Sequence, residues 1–174
     1  MTEVGKGTHD AIVRLLAAQD AAWDDGDADR FGASVLPDVV FTNVVGLFSV
    51  GAEPFIAQHA HIFATIYKGS RLDQRLVRIT MASGDVAVVN TLTSVTNYHH
   101  LPPGAEPING AFQTRLQQVL VYRESSWRVQ SFHNTAINPV ADTIRASQVG
   151  SRHELNSVSP KPTASNFAVR LDKV

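Results

Sequence analysis

The sequence predicts an α+β domain in which a cone-shaped, curved antiparallel sheet packs against three N-terminal helices. Three observations predict it: helical apolar stripes before residue 70, two short β-branched runs among them, and four long strand-like runs after residue 70. In that order the helices gather on one face of a bent sheet.

The first helix runs from Thr8 to about Asp24, where Ile12, Leu15, Leu16, Ala18, Ala22 and Trp23 recur at helical spacing and Thr8 supplies an N-cap hydroxyl. Asp24-Asp25-Gly26-Asp27 stops it at a glycine and offers a fresh cap, so a short second helix follows from Ala28 to about Val35, closed by Pro37. Val39 through Val44 is β-branched and aromatic, and Gly46 ahead of Leu47-Phe48-Ser49 is the turn of a small hairpin. A third helix opens at Gly51-Ala52-Glu53, carries Phe55, Ile56, His59, Ile62, Phe63 and Ile66 on one stripe, and stops near Gly69. The runs 71–82, 85–97, 111–123 and 126–135 are separated by Ser83-Gly84, a loop with Leu101-Pro102-Pro103-Gly104, and Glu124-Ser125-Ser126, the pattern of an antiparallel meander.

The chain has 174 residues, enough for one well-cored domain, expected over 1–138. Residues 139–174 shift to Ser, Asn, Pro and scattered charge and read as a tail, in which Asn166 to Leu171 could form a terminal strand on this or a neighbouring subunit. Fifteen Lys and Arg against sixteen Asp and Glu leave no field to attract nucleic acid or an anionic membrane surface. No stretch reaches the roughly 18 apolar residues of a membrane span, and the N-terminus lacks the build of a signal peptide, which makes the cytoplasm the default location. Cysteine is absent, so catalysis would fall to His, carboxylate, hydroxyl or amide groups.

Ala21-Ala22-Trp23 before Gly26-Asp27-Ala28, the strand Phe41-Thr42-Asn43-Val44 with Gly46, the helical His59-Ala60-His61-Ile62-Phe63, Tyr67-Lys68-Gly69-Ser70, and Trp127 through His133-Asn134-Thr135 occur in a fixed order. Over about residues 8–136 this pattern resembles the SgcJ/EcaC-type branch of the SnoaL-like group, within the superfamily named for nuclear transport factor two. The resemblance implies a ketosteroid-isomerase-like fold and an association with natural-product clusters. That superfamily includes ketosteroid isomerase, scytalone dehydratase, polyketide cyclases, epoxide hydrolases and non-catalytic binding modules, so resemblance implies architecture more firmly than activity.

The candidate chemistry centres on two histidines. On the last strand Trp127, Val129, Ser131 and His133 share one face by simple alternation, so His133 enters the core if Trp127 does. His59, on the apolar stripe of helix three, points to the same interior. A neutral imidazole can remove a proton near pH 7, and Asn43, on the strand face of Val39 and Phe41, could donate its amide to an oxyanion or orient a histidine. Isomerase, dehydratase and cyclase relatives commonly use a pocket Asp, and no Asp or Glu fills that place here: Asp38 sits at a strand entrance, Asp85 beside a turn, and Asp24 and Asp27 at helix ends.

Trp23, Phe41, Phe63 and Tyr67 either line a pocket for a flat ligand or form ordinary core. His59 and His61 fall on different helix faces and His99-His100 at a loop entrance, so no metal site is expected, and no cofactor. Gln113, Arg115 and Gln117 share a strand face that is either solvated or a homodimer interface, with the interface favoured. Three readings follow. The chain is an enzyme of isomerase, cyclase or dehydratase type with His59, His133 and Asn43 as its polar set; a ligand carrier; or a dimeric scaffold.

Overall fold

A computed structural model of the chain describes residues 4–140, and the strand expected over Asn166 to Leu171 lies outside the described residues. Helix α1 (Lys6–Asp24) starts two residues ahead of Thr8, with Gly5 at the N-cap and no side-chain cap. Its buried face is Ile12, Leu16, Gln19, Ala22 and Trp23, so the expected Ala18 is exposed and a glutamine takes the centre of the stripe. Gly26, at φ +67°, ends the helix, and the Asp27 side chain accepts from the Arg30 N–H at 2.9 Å to start α2 (Ala28–Gly32).

Helix α2 is shorter than expected, because β1 (Val35–Thr42) begins almost at once and takes Pro37 into the strand. The proline is tolerated there because β1 breaks register with its neighbour between Val35 and Val40, where no ladder hydrogen bond is forfeited. Gly32 backs so closely onto Ile56 that a Cβ would overlap that side chain, which fixes the approach of α2 to α3 (Ala52–Ala64). Between β1 and α3 lies the edge strand β2 (Phe48–Val50).

The strands β3 (Arg71–Met81), β4 (Val86–Thr96), β5 (Phe112–Arg123) and β6 (Ser126–Ala136) form the expected antiparallel meander within one sheet of order β2-β1-β6-β5-β4-β3. The pair β1–β6 is parallel, which simple strand order did not foretell. Glu124 and Ser125, at φ 50° and 64°, make the tight β5–β6 turn, whose twist suits paired strands. Helix α1 packs on β3 and β6, and α3 on β1 and β2. Gln113 is half-buried, and Arg115 and Gln117 are exposed on the outer sheet face. Among the described residues no helix is long and apolar enough to cross a membrane, which says nothing of strand-built membrane proteins.

One residue of β6 has no counterpart on β5: Leu120 faces Val129 and Val119 faces Ser131, so Gln130 is a β-bulge. Its side chain is held by a bond from Nε2 to the Asp38 carbonyl at 3.2 Å. Before the bulge Trp127 and Val129 are buried; after it Phe132 is buried and His133 is exposed. Strict alternation from Trp127 therefore fails at Gln130, and the expected inward placement of His133 is corrected.

Between α1 and the sheet lies a buried amide network. Gln19 and Gln118 exchange two hydrogen bonds, each at 3.1 Å; Gln19 Oε1 also accepts from Gln74 Nε2 at 3.1 Å, and Gln19 Nε2 also donates to Ser34 Oγ at 3.0 Å. Both ends of Gln19 are thereby satisfied without water.

Next to it, the half-buried Asp20 accepts from the Gln74 N–H at 3.4 Å through Oδ2, while Oδ1 is buried without a partner among the described residues. Burial pushes its carboxyl up to about 6; bonds from Gln74 oppose the rise, and Asp73 and Asp24 add to it. The folded chain thus holds this proton to higher pH than the unfolded chain. The stabilisation is complete below the unfolded value of 3.8 and is lost as pH rises through about 6. Asp20→Asn stays neutral throughout, so variant and wild type should be equally stable near pH 4. Near pH 7.5 the variant should be the more stable by about 1 kcal/mol, after allowance for screening of a half-buried group. Chemical denaturation at both pH values checks this, and a pH-independent difference would refute it.

Candidate functional site

The concave side of the sheet and helix α3 enclose a cavity of about 450 Å³. Its apolar wall includes Trp23, Phe31, Phe41, Tyr67, Phe112 and Phe132, and its polar groups include His59, Asn43, Asn134, Gln74, Thr93 and Thr114. None of the residues lining it is Lys, Arg, Asp or Glu. Gln74, Thr93 and Thr114 lie side by side across β3, β4 and β5, and the two threonine hydroxyls are hydrogen-bonded to each other.

His59 reaches this interior because α3 buries Phe55, His59 and Phe63 at successive spacings of four. It is 4% exposed, with ring centroids of Phe55, Phe31 and Phe41 at 4.2, 4.6 and 5.5 Å. Its Nδ1 lies 2.7 Å from the Phe55 carbonyl oxygen, an acceptor only, so Nδ1 carries the proton and donates. Nε2 is then a lone-pair acceptor, without a protein partner among the described residues. Burial drives the imidazole down to about 4, with the Phe55 bond opposing in part. His59 is neutral at pH 7 and a weak base.

Asn43 lies one residue beyond β1, and its Oδ1 accepts from the N–H groups of Val45 and Leu47 at 3.1 and 2.9 Å. The oxygen is committed to shaping the loop, and the Nδ2 donor is the end left for the cavity that Asn43 lines. His133 is exposed on the outer face, level with Gln117 and Thr42, and does not meet His59. The expected pair of imidazoles is absent, for the bulge turns His133 away.

Trp23, Phe41 and Tyr67 line the cavity. Trp23 is fixed by a bond from Nε1 to Ser70 Oγ at 2.9 Å, and burial raises the Tyr67 phenol, with Tyr98 adding a smaller push in the same direction. Phe63 stands behind Trp23, edge-on with centroids 4.9 Å apart, as core rather than wall. Sequence reasoning missed Asn134, Phe132 and Phe112 as wall residues. The first two follow from the same bulge: Asn134 lies on the face of Phe132, and its Oδ1 is buried without a partner among the described residues. Also among the described residues, no three His, Asp or Glu side chains converge as a metal site requires.

A curved sheet closed by helices over an aromatic-walled cavity defines an α+β protein of the cystatin-like, nuclear-transport-factor-two-like class. The chain belongs to the SnoaL-like domain family, whose model matches residues 12–138. It is similar to an uncharacterised protein of cystatin-like fold from Caulobacter vibrioides, at 30% identity and a TM-score of 0.66 over 80% of this chain and 95% of that one. It is similar in fold to an NTF-2-like protein of unknown function from Shewanella oneidensis, at 18% identity and a TM-score of 0.60 over 73% of this chain and 98% of that one. A ketosteroid isomerase-like protein from Erwinia carotovora atroseptica gives 18% identity and a TM-score of 0.61 over 78% of this chain and 100% of that one. No curated protein matches.

Proposed function

We propose that the chain binds a small, largely apolar molecule in this cavity, with Nε2 of His59 accepting a hydrogen bond from it. The observation that carries the reading is a neutral imidazole whose other nitrogen is already committed to the Phe55 carbonyl, set in the wall of an apolar space of about 450 Å³. Open volume of that size counts against a scaffold with a vestigial pocket. A cavity wall without a carboxylate favours holding over turning over.

Turnover by His59 as a lone base, in an isomerase, cyclase or dehydratase reaction on a polyketide-like molecule, is the second reading. One observation favours it: an anchored Nδ1 with a free Nε2 is the arrangement of a general base. A base titrating near 4 suits only a substrate proton that is itself acidic. In either reading His59 acts unprotonated, so affinity should be constant from about pH 5.5 to 8 and fall as pH drops through about 4. His59→Phe, which keeps the aromatic packing, should bind about tenfold more weakly any ligand that native mass spectrometry finds on the wild type. Undiminished affinity of the variant for those ligands would remove His59 from the site.

A further inference from the structure

The two ends of the site have fixed and opposite hydrogen-bonding sense, and in both cases the main chain sets it. His59 spends its only proton on the Phe55 carbonyl, so towards the cavity it can only accept. Asn43 spends its carbonyl oxygen on two backbone N–H groups, so towards the cavity it can only donate. Neither can reverse: the other imidazole tautomer would set a lone pair against the Phe55 oxygen, a turned ring would replace the bond with a C–H contact, and a flipped amide would set NH₂ against two N–H groups. No Lys, Arg, Asp or Glu is among the described residues lining the space, and the one basic group there besides His59 is His61 on the solvent-exposed side, so a charged group carried to His59 would lose water without compensation. Aromatic rings supply much of the remaining wall.

We infer that the cavity selects an uncharged aromatic molecule that presents a hydroxyl to His59 and a carbonyl to Asn43. The inference rests on the cavity being a binding site and deepens that reading by naming what it takes. A ligand lacking the hydroxyl leaves a buried imidazole nitrogen unpaired, and one lacking the carbonyl leaves the half-buried Asn43 amide N–H unpaired beneath the bound ligand. Each loss is of the size that changes affinity by about tenfold. Discrimination against acids has a different origin, in desolvation of the ligand's own charge.

The test uses four benzophenone-sized probes on the full chain: hydroxybenzophenone in its meta or para form, whichever binds tighter, and the matching methyl ether, benzylphenol and benzoylbenzoic acid. Dissociation constants are measured by calorimetry. The hydroxy ketone should bind tightest, and the methyl ether, the benzylphenol without the ketone and the acid should each be weaker by about tenfold or more. Two variants separate the two ends. His59→Phe should abolish the preference for hydroxyl over methyl ether and keep the preference for the ketone. Asn43→Asp keeps an oxygen for the Val45 and Leu47 N–H groups and removes the donor, so it should abolish the preference for ketone over benzylphenol alone.

Equal affinities for hydroxyl and ether in the wild type, preferences unmoved by the variants, or tightest binding of the acid would overturn this assignment while leaving the cavity a binding site. Failure of all four probes to bind, with the amide signals of cavity residues unshifted by NMR, would overturn the binding reading and this inference with it.

Discussion

Replacing Gln19 with leucine should lower the unfolding free energy by about 3 kcal/mol, although the new side chain is apolar, of similar size and placed on a helix face that is otherwise apolar. The cost arises in the partners. Gln118 Oε1 loses its donor, Gln74 Nε2 loses its acceptor, and Gln118 Nε2 keeps only a 3.4 Å contact with Gln74 Oε1. Gln118, at 0% exposure, is sealed between α1 and the sheet, and Gln74, at 7%, meets solvent only at the cavity wall, so water does not replace the lost bonds to Gln118. Urea unfolding should show a lower midpoint at unchanged slope. A loss under about 1 kcal/mol would mean that the amide triad contributes little more than leucine packing would.

The largest expected loss is at Phe55, where alanine should cost about 4 kcal/mol. The ring is fully buried, stacked on Phe31 at 5.8 Å, edge-on to Phe41 at 5.0 Å and Phe132 at 5.5 Å, and 4.2 Å from His59. Such a cluster belongs to two helices and two strands at once and cannot collapse into the space left by one ring. Phe55→Leu, which keeps most of the volume, should cost only about 1–2 kcal/mol. Alanine at Phe48, 66% exposed on the edge strand, should stay within about 0.5 kcal/mol. Calorimetric unfolding of the three variants checks the ranking, and equal losses at Phe55 and Phe48 would sink the account of the core.

Much of this fold was legible because its elements advertise themselves locally. The stripe on α3, the glycine stop at Gly26 with the Asp27 cap, and the Ser83-Gly84 turn each follow from short-range rules and occur where those rules put them, although α3 ends at Ala64, ahead of Ile66 and of the stop expected near Gly69. The parallel docking of β1 on β6 is a long-range choice with no local signature, so Pro37 read as a helix closure rather than as part of a strand. His59 was legible as an inward residue because helical phase survives along all of α3. His133 was not, since one unpaired residue upstream reverses the phase of a strand and leaves no mark in composition. Gln19 could have been found: Ile12, Leu16, Gln19 and Trp23 step by four, three and four, which sets a polar residue at the centre of an apolar stripe and demands partners across the core.

Gln130 has a wider consequence for how this strand can change over time. Upstream of it the odd-numbered positions answer to the interior and downstream the even-numbered ones do, so substitution tolerance along β6 should change phase there. A deletion of that one codon would restore strict alternation and leave every later side chain on its present face, with Phe132 and Asn134 still inward and His133 still outward. The bulge thus absorbs a one-residue change in length that a regular strand would pass on to every side chain beyond it. Lineages that gain or lose it would keep the same cavity wall on an unchanged scaffold, and differ only in local twist and in the Gln130 bond to the Asp38 carbonyl.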